Sequence, residues 1–248
     1  MNRIHTAMLA ALLLAGQAGI VRAAEGRLEA TSSALATISQ GDWNAGLRYQ
    51  RDRREFKLSG DEVLPLDIDH LLLRVGTAPL PFLSVWGEIG VSTAEAERED
   101  GDSGMEWGVG GYARLLDLPI ETSPVVGQVQ AISLGVELSY SKAVSDFEEN
   151  DLNWTELRVS PLASYTYDQR GEARWFFYGP EAVALRAGPV FVSNDGDYGD
   201  EDPVGENSAF GGRIAFDLLW QGGWVTRFDG VFLGSDERQL SFGIGKNF

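Results

Sequence analysis

The sequence has no cysteine, so it builds no disulfide framework, no lipid-anchoring cysteine and no thiol nucleophile. Histidine is almost missing: of 2 in the chain, His5 lies in the N-terminal stretch, which leaves His70. There is no C-x-x-C, no H-E-x-x-H, and no glycine pattern between a strand and a helix to cradle a phosphate. Beyond residue 23 no apolar run reaches the roughly 20 residues of a transmembrane helix. Positive charge is scarce, with 20 Lys and Arg against 37 Asp and Glu, and a net charge of -17 would be repelled by nucleic-acid phosphates. No cofactor and no nucleic-acid partner are therefore expected.

What is present is glycine (30), phenylalanine (12), tryptophan (7) and tyrosine (7). Residues 1–23 pair a basic Arg3 with an apolar stretch from about Ala7 to Ile20 and a small-residue cleavage pattern, Val21-Arg22-Ala23 before Ala24. That predicts a secretory signal peptide; a single membrane anchor is the alternative, but Gly16, Gln17 and Gly19 interrupt the stretch. Residues 24–40 are rich in Ser, Thr and Ala and read as a periplasmic N-terminal segment, with a short helix or extra strand at Leu35–Ser39 as alternatives.

The clearest pattern lies in the last forty residues, where apolar residues recur at every second position and predict strands. Phe210, Ile214, Phe216, Leu218 and Trp220 alternate with Arg213 and Asp217; Trp224, Thr226, Phe228 and Phe232 with Arg227 and Asp229; and Leu240, Phe242, Ile244 and Phe248 with Ser241, Gly243, Gly245 and Asn247. A soluble sandwich would turn Lys, Glu and Thr to water, whereas a transmembrane barrel puts aromatics in lipid and glycine with lone charges in a narrow lumen. Ser241, Gly243 and Phe248 resemble the C-terminal assembly signal of bacterial outer-membrane barrels, with Lys246 as a departure that can snorkel. From about residue 41 onward the chain resembles the small OmpA-like and OmpW-like barrel class. The resemblance implies an outer-membrane location, with outer-membrane lipid and the barrel-assembly machinery as partners, and a monomer.

Arg or Lys at the bilayer midplane costs roughly 2–4 kcal/mol, so each strand can be given the face that keeps charge out of lipid. On that rule strands are expected at about 42–52, 66–76, 81–93, 104–115, 126–141, 153–167 and 175–193, ahead of the three terminal ones. The opening Leu66-Asp67-Ile68-Asp69 has the opposite phase to the rest of its strand, which predicts a bulge or a rim. The fold class is thus all-β: a transmembrane antiparallel up-and-down barrel over residues 41–248 of about ten strands, with eight or twelve as alternatives. An even number puts both termini on the periplasmic side. Long acidic connections at 53–65, 94–103, 142–152, 194–207 and 235–238 would be external, and shorter ones near 77–80, 116–125, 168–174 and 221–223 periplasmic.

Assigned to the lumen are Arg48, Arg74, Arg114, Arg158, Arg186, Arg213 and Arg227, against Glu88, Glu106, Glu137, Glu156, Asp217 and Asp229. Near balance predicts a paired network filling a constricted interior, because an unpaired charge out of water is expensive. If Gln221-Gly222-Gly223 is a three-residue turn, Asp217 faces Arg227, Trp220 faces Trp224, Phe216 faces Phe228, and Phe232 lies over Gly212. Acidic loops invite divalent cations such as Ca²⁺, but Asn194–Asp200 has the wrong order for a calcium loop. No metal is expected; Asp195, Asp197 and Asp200 are the nearest candidates, and a solvated loop is the plainer reading. The expected function is an integral outer-membrane barrel with a structural or surface-interaction role. A narrow pore comes second, and third an enzyme acting on lipid or peptide through His70, which has Asp67 and Asp69 nearby but no serine in its run.

Overall fold

Successive side chains on a pleated strand point to opposite faces, and the chain uses this period to build one closed sheet with an apolar outside. The computed structural model describes residues 41–57, 63–96, 99–123, 128–146, 151–168, 179–198, 202–234 and 237–248. The expectations for residues 1–23 and 24–40, and for Asp200, lie outside them. Ten long strands follow in order: β1 (Trp43–Lys57), β2 (Val63–Leu80), β3 (Leu83–Ala96), β5 (Gly104–Ser123), β6 (Gln128–Asp146), β7 (Asp151–Asp168), β8 (Ala182–Tyr198), β9 (Asp202–Leu219), β10 (Trp224–Leu233) and β11 (Glu237–Asn247). A two-residue ribbon, β4 (Glu99–Asp100), lies on β3. Each long strand pairs antiparallel with its neighbour in sequence, and β1 pairs with β11, so the sheet closes into a ten-strand up-and-down barrel. Main-chain bonds between Trp43 and Phe248, 2.8 and 3.3 Å long, secure the closing seam.

Outward positions carry Trp43, Leu47 and Tyr49 on β1, Leu71, Leu73 and Val75 on β2, Ile89 and Val91 on β3, and Phe228, Phe232, Phe242 and Ile244 on β10 and β11, all exposed. Rings stack across strands, as at Phe228 and Phe242, whose centroids are 5.0 Å apart. A band of this extent around a closed sheet is a lipid-facing surface. At its turn end Lys246 Nζ lies 5.6 Å from the Trp224 ring and 5.8 Å from that of Phe248, so the one Lys that departs from the terminal pattern is seated among aromatics.

The β9–β10 hairpin has the expected register, with Asp217 opposite Arg227 and Phe216 opposite Phe228. Gln221–Gly223 forms a single 3₁₀ turn in which Gly222 and Gly223 take φ of 78° and 80°, a region that glycine enters freely. Phe232 is registered with Gly212 but does not cover it. Its ring instead lies against Gly230, two residues back on its own strand, and the space above Gly212 is empty. The Trp220 indole likewise turns aside to donate to Thr226 Oγ1 at 2.9 Å.

Other expectations are corrected by the lengths of the strands. The strands run well into the stretches read as external connections: β1 reaches Lys57, β6 reaches Asp146, and β8 reaches Tyr198. Asp146, Asp151, Asp195, Asp197 and Asp202 therefore stand on strands and not in loops. There is no bulge at Leu66–Asp69, where the pairing of β1 with β2 is unbroken. Leu66 and Ile68 point inward and are buried, while Asp67 and Asp69 point outward to Arg51 (3.7 and 4.0 Å), and Asp67 also meets Arg53 (4.0 Å). Polarity inverts here because the strand has left the bilayer, so its outer face meets water. At the opposite end β5 continues through Ser123, well into the stretch 116–125 expected as a turn, and a register shift between Arg114 and Leu116 turns both Leu115 and Leu116 outward. β8 in turn begins at Ala182, later than expected.

Candidate functional site in the barrel lumen

Inward positions carry two groups of charges, with apolar side chains beyond them at each end. At the end with the long strands lie Leu66, Ile68 and Leu152, while Val190, Val192, Val231 and Leu233 cluster on β8 and β10 beside the upper charges, with Val192 paired to Arg158. At the other end Ala182, Leu219 and Val225 cluster. Beside the lower charges, Trp86, Tyr112 and Leu162 pack together, and the Trp86 ring sits on Gly110, where a Cβ would come within 2.5 Å of it.

In the lower group Arg48 pairs with Glu88 at 2.9 Å, and Arg74 reaches the same carboxylate at 3.4 Å while stacking 4.1 Å over Trp86. Arg186 and Arg227 share Asp217, at 2.6 and 2.7 Å. Arg213 bonds Asp229 at 2.5 Å and Glu137 at 2.7 Å, and Arg186 lies 3.8 Å from Glu137. In the upper group Arg158 pairs with Glu156 at 2.5 Å, and Glu106 lies 2.5 Å from His70 Nδ1. Every residue assigned to the lumen from the sequence lies at an inward position of its strand, and one stands apart from the others. Arg114 sits at the turn end, donating to the Pro81 carbonyl at 2.8 Å and pairing with Asp117 at 3.1 Å, apart from both groups.

The sequence reading missed the residues that complete the upper group. Asp52 lies 3.3 Å from Arg54 and 3.4 Å from His70 Nε2, and it accepts from Gln50 (3.2 Å) and Gln239 (3.0 Å). Arg54 crosses the barrel: it donates to Asn194 on β8 at 3.1 Å and pairs with Glu156 on β7. In a ring ordered β1, β11, β10, β9, β8, β7, the last is five strands from the first, so this ion pair spans the diameter. Among the described residues, two cavities in the lumen have about 40 Å³ each, room for two or three waters. The upper is lined by Gln50, Asp52, His70, Glu106 and Glu156, the lower by Arg227, Gly46, Gly243 and Gly245, and Arg48 and Arg74 belong to both.

Of the assembly-signal residues, Ser241 and Gly243 pair with Gln50 and Arg48 of β1, and Phe248 projects outward with 71% of its surface exposed. Asp195 and Asp197 are exposed at alternate positions of β8. Among the described residues no group of three or more His, Asp or Glu side chains is placed to hold a metal ion.

A closed ten-strand sheet with an apolar belt and a charged interior defines a transmembrane β-barrel of the outer-membrane class. No family model matches the chain, and no curated protein does. Among solved structures it is similar to an outer-membrane channel from Pseudomonas putida F1, at 8% identity and a TM-score of 0.44 over 92% of this chain and 100% of that one. It is also similar to the translocator domain of the Neisseria meningitidis autotransporter NalP, at 11% identity and a TM-score of 0.38 over 98% of this chain and 95% of that one. A third likeness is to the transport unit of the Escherichia coli autotransporter AIDA-I, at 6% identity and a TM-score of 0.37 over 94% of this chain and 95% of that one.

Proposed function

We propose that the protein is a closed outer-membrane barrel whose lumen is a structural core, and whose work is done at the surface by the strands that rise above the lipid. The observation that carries this is the Arg54–Glu156 pair across the diameter, with Asn194 and Asp52 holding the same guanidinium. Buried ion pairs from wall to wall leave no continuous bore at that height, and the two lumen cavities, which meet at Arg48 and Arg74, are water-sized. In this reading the β9–β10 turn end, which both sheet ends share, faces the periplasm. The barrel is a monomer inserted by the assembly machinery, and the outer acidic residues keep the rim solvated without a bound cation. Steady single-channel steps from refolded protein in a planar bilayer would overturn the closed reading; a silent bilayer at all holding potentials is expected.

One observation favours a narrow pore as the second reading. Arg48 and Arg74 form the only wall common to both cavities, so a swing of two side chains would join them. Catalysis is not part of the proposal. Each ring nitrogen of His70 has a carboxylate for its neighbour, Glu106 on one side and Asp52 on the other. Ser92, its partner in the β2–β3 register, makes no hydrogen bond to the ring: Ser92 Oγ and His70 Nε2 are both buried without a hydrogen-bond partner, so no nucleophile–base pair is formed. Release of fatty acid or peptide by the purified protein, abolished in His70→Ala, would restore the enzyme.

A further inference from the structure

The lower cavity is unlike the upper one in its charge. Three guanidiniums, Arg48, Arg74 and Arg227, line it and no carboxylate does; with their ion-pair partners and the arginines that share those partners, the lower group holds five guanidiniums, Arg48, Arg74, Arg186, Arg213 and Arg227, but four carboxylates, Glu88, Glu137, Asp217 and Asp229. Asp217 and Asp229 are each engaged by close arginines, and Glu137 is held by Arg213 and acts on Arg74 only from farther off, so Glu88 is the carboxylate that pairs with both Arg48 and Arg74. It serves Arg74 poorly, at 3.4 Å, and the buried Nε atoms of Arg48 and Arg74 have no hydrogen-bond partner. Arg48 and Arg227 lie near enough to act on Arg74 as like charges. Crowded cations in a water-poor interior are unfavourable unless an anion offsets them.

The recess also has room for one. Where β11 and β1 pass beneath these arginines, the inward positions include Gly46, Gly243 and Gly245, which leave room between the Asn44 and Val225 side chains. At Gly46 and Gly245 an added Cβ would meet backbone at 2.5 and 3.0 Å. The glycines let the two strands close up while leaving space on the lumen side. Guanidinium forks match the oxygens of a small oxyanion better than they match a halide.

The geometry points to a binding site in this recess for a single small oxyanion of the phosphate or sulfate class, held by Arg74 and Arg48 with Arg227 behind them. The anion replaces the missing fifth carboxylate. The site goes beyond the closed-barrel reading, since it lies in the turn-end half of the lumen and does not depend on whether the lumen conducts.

The test uses full-length protein refolded in detergent and titrated with inorganic phosphate at constant ionic strength against chloride. Phosphate should raise the unfolding temperature saturably, and wild-type protein should broaden the phosphate ³¹P resonance until sulfate competes it away. Arg74→Gln should abolish both effects, and Arg74→Lys, which keeps charge but has no fork, should weaken phosphate by at least tenfold. Arg238→Gln, on the exposed outer wall, should change neither. Absence of broadening with wild-type protein overturns the proposal even if the variants do not fold. So does a rise in unfolding temperature that is linear in salt, or one that Arg74→Gln retains.

Discussion

Asp217 and Arg227 meet side by side across the β9–β10 hairpin, with Arg227 Nε 2.7 Å from Oδ1 and Nη2 3.0 Å from Oδ2. Arg186 reaches the same carboxylate from β8 at 2.6 Å, so one aspartate serves two guanidiniums. Asp217→Asn therefore strands two cations where Arg227→Gln strands one anion that still has a partner. Breaking a buried pair costs about 3–5 kcal/mol. Asp217→Asn is expected at or above that range and Arg227→Gln below it, and the double variant should fall short of the sum by about 1–3 kcal/mol. Urea unfolding in lipid vesicles measures all three; strict additivity would mean that the pair contributes nothing.

That hairpin was readable because both faces of each strand lie within the bilayer, where lipid enforces one polarity and the lumen the other. The same rule placed Arg48, Glu88, Arg186 and Arg213 inward. It lost force at the upper rim. Arg51 to Glu55 is an unbroken charged run, and with water outside and ions inside neither face is apolar, so Asp52 and Arg54 carried no signal. Period two alone would have found them, had the strand been extended in phase from Leu47 and Tyr49. The contact of His70 with Glu106 joins β2 to β5, two strands away, and no local pattern encodes it. At the opposite end Leu115-Leu116 reads as continuous strand in either phase, and only the pairing with β6 shows the shift.

Where lipid stops can be measured, because a chain with no cysteine accepts single reporters. Asp67 and Leu73 both point outward on β2, Asp67 among the arginines above the belt and Leu73 within it. In vesicles, Asp67→Cys should react with a water-soluble maleimide at least tenfold faster than Leu73→Cys. Equal rates would place the belt boundary elsewhere on β2 and remove the explanation given for its inverted polarity.

The floor beneath Trp86 makes a steric prediction. The three atoms nearest a Cβ on Gly110 are all Trp86 ring atoms, at 2.5, 2.6 and 2.8 Å, so Gly110→Ala must push the indole, and with it the stacked Arg74. Overpacking of this kind costs about 1–3 kcal/mol. In a Trp86→Ala background, itself lower by about 3–5 kcal/mol, the glycine change should cost nothing further. A Gly110→Ala penalty that persists without the indole would mean that the glycine is required for backbone reasons.

Arg54 allows the sharpest test of closure. Its removal takes away the bridge between β1 and β7 and leaves Asp52, Glu106 and Glu156 around the upper cavity with Arg158 and His70. Carboxylates in excess at a constriction favour cations. Arg54→Ala should therefore convert a silent barrel into one that shows brief conductance steps, with a reversal potential displaced toward that of the cation in a salt gradient. Arg54→Ala combined with Glu156→Ala should conduct with less selectivity, since a carboxylate leaves with the guanidinium. Arg51→Ala, three residues earlier but on the outer wall, serves as the control and should stay silent. If Arg54→Ala is as silent as wild type while keeping the heat-sensitive gel mobility of a folded barrel, the pair across the diameter is not what closes the lumen, and the apolar Val190, Val192, Val231 and Leu233 cluster, on the turn-end side of Asn194, becomes the seal.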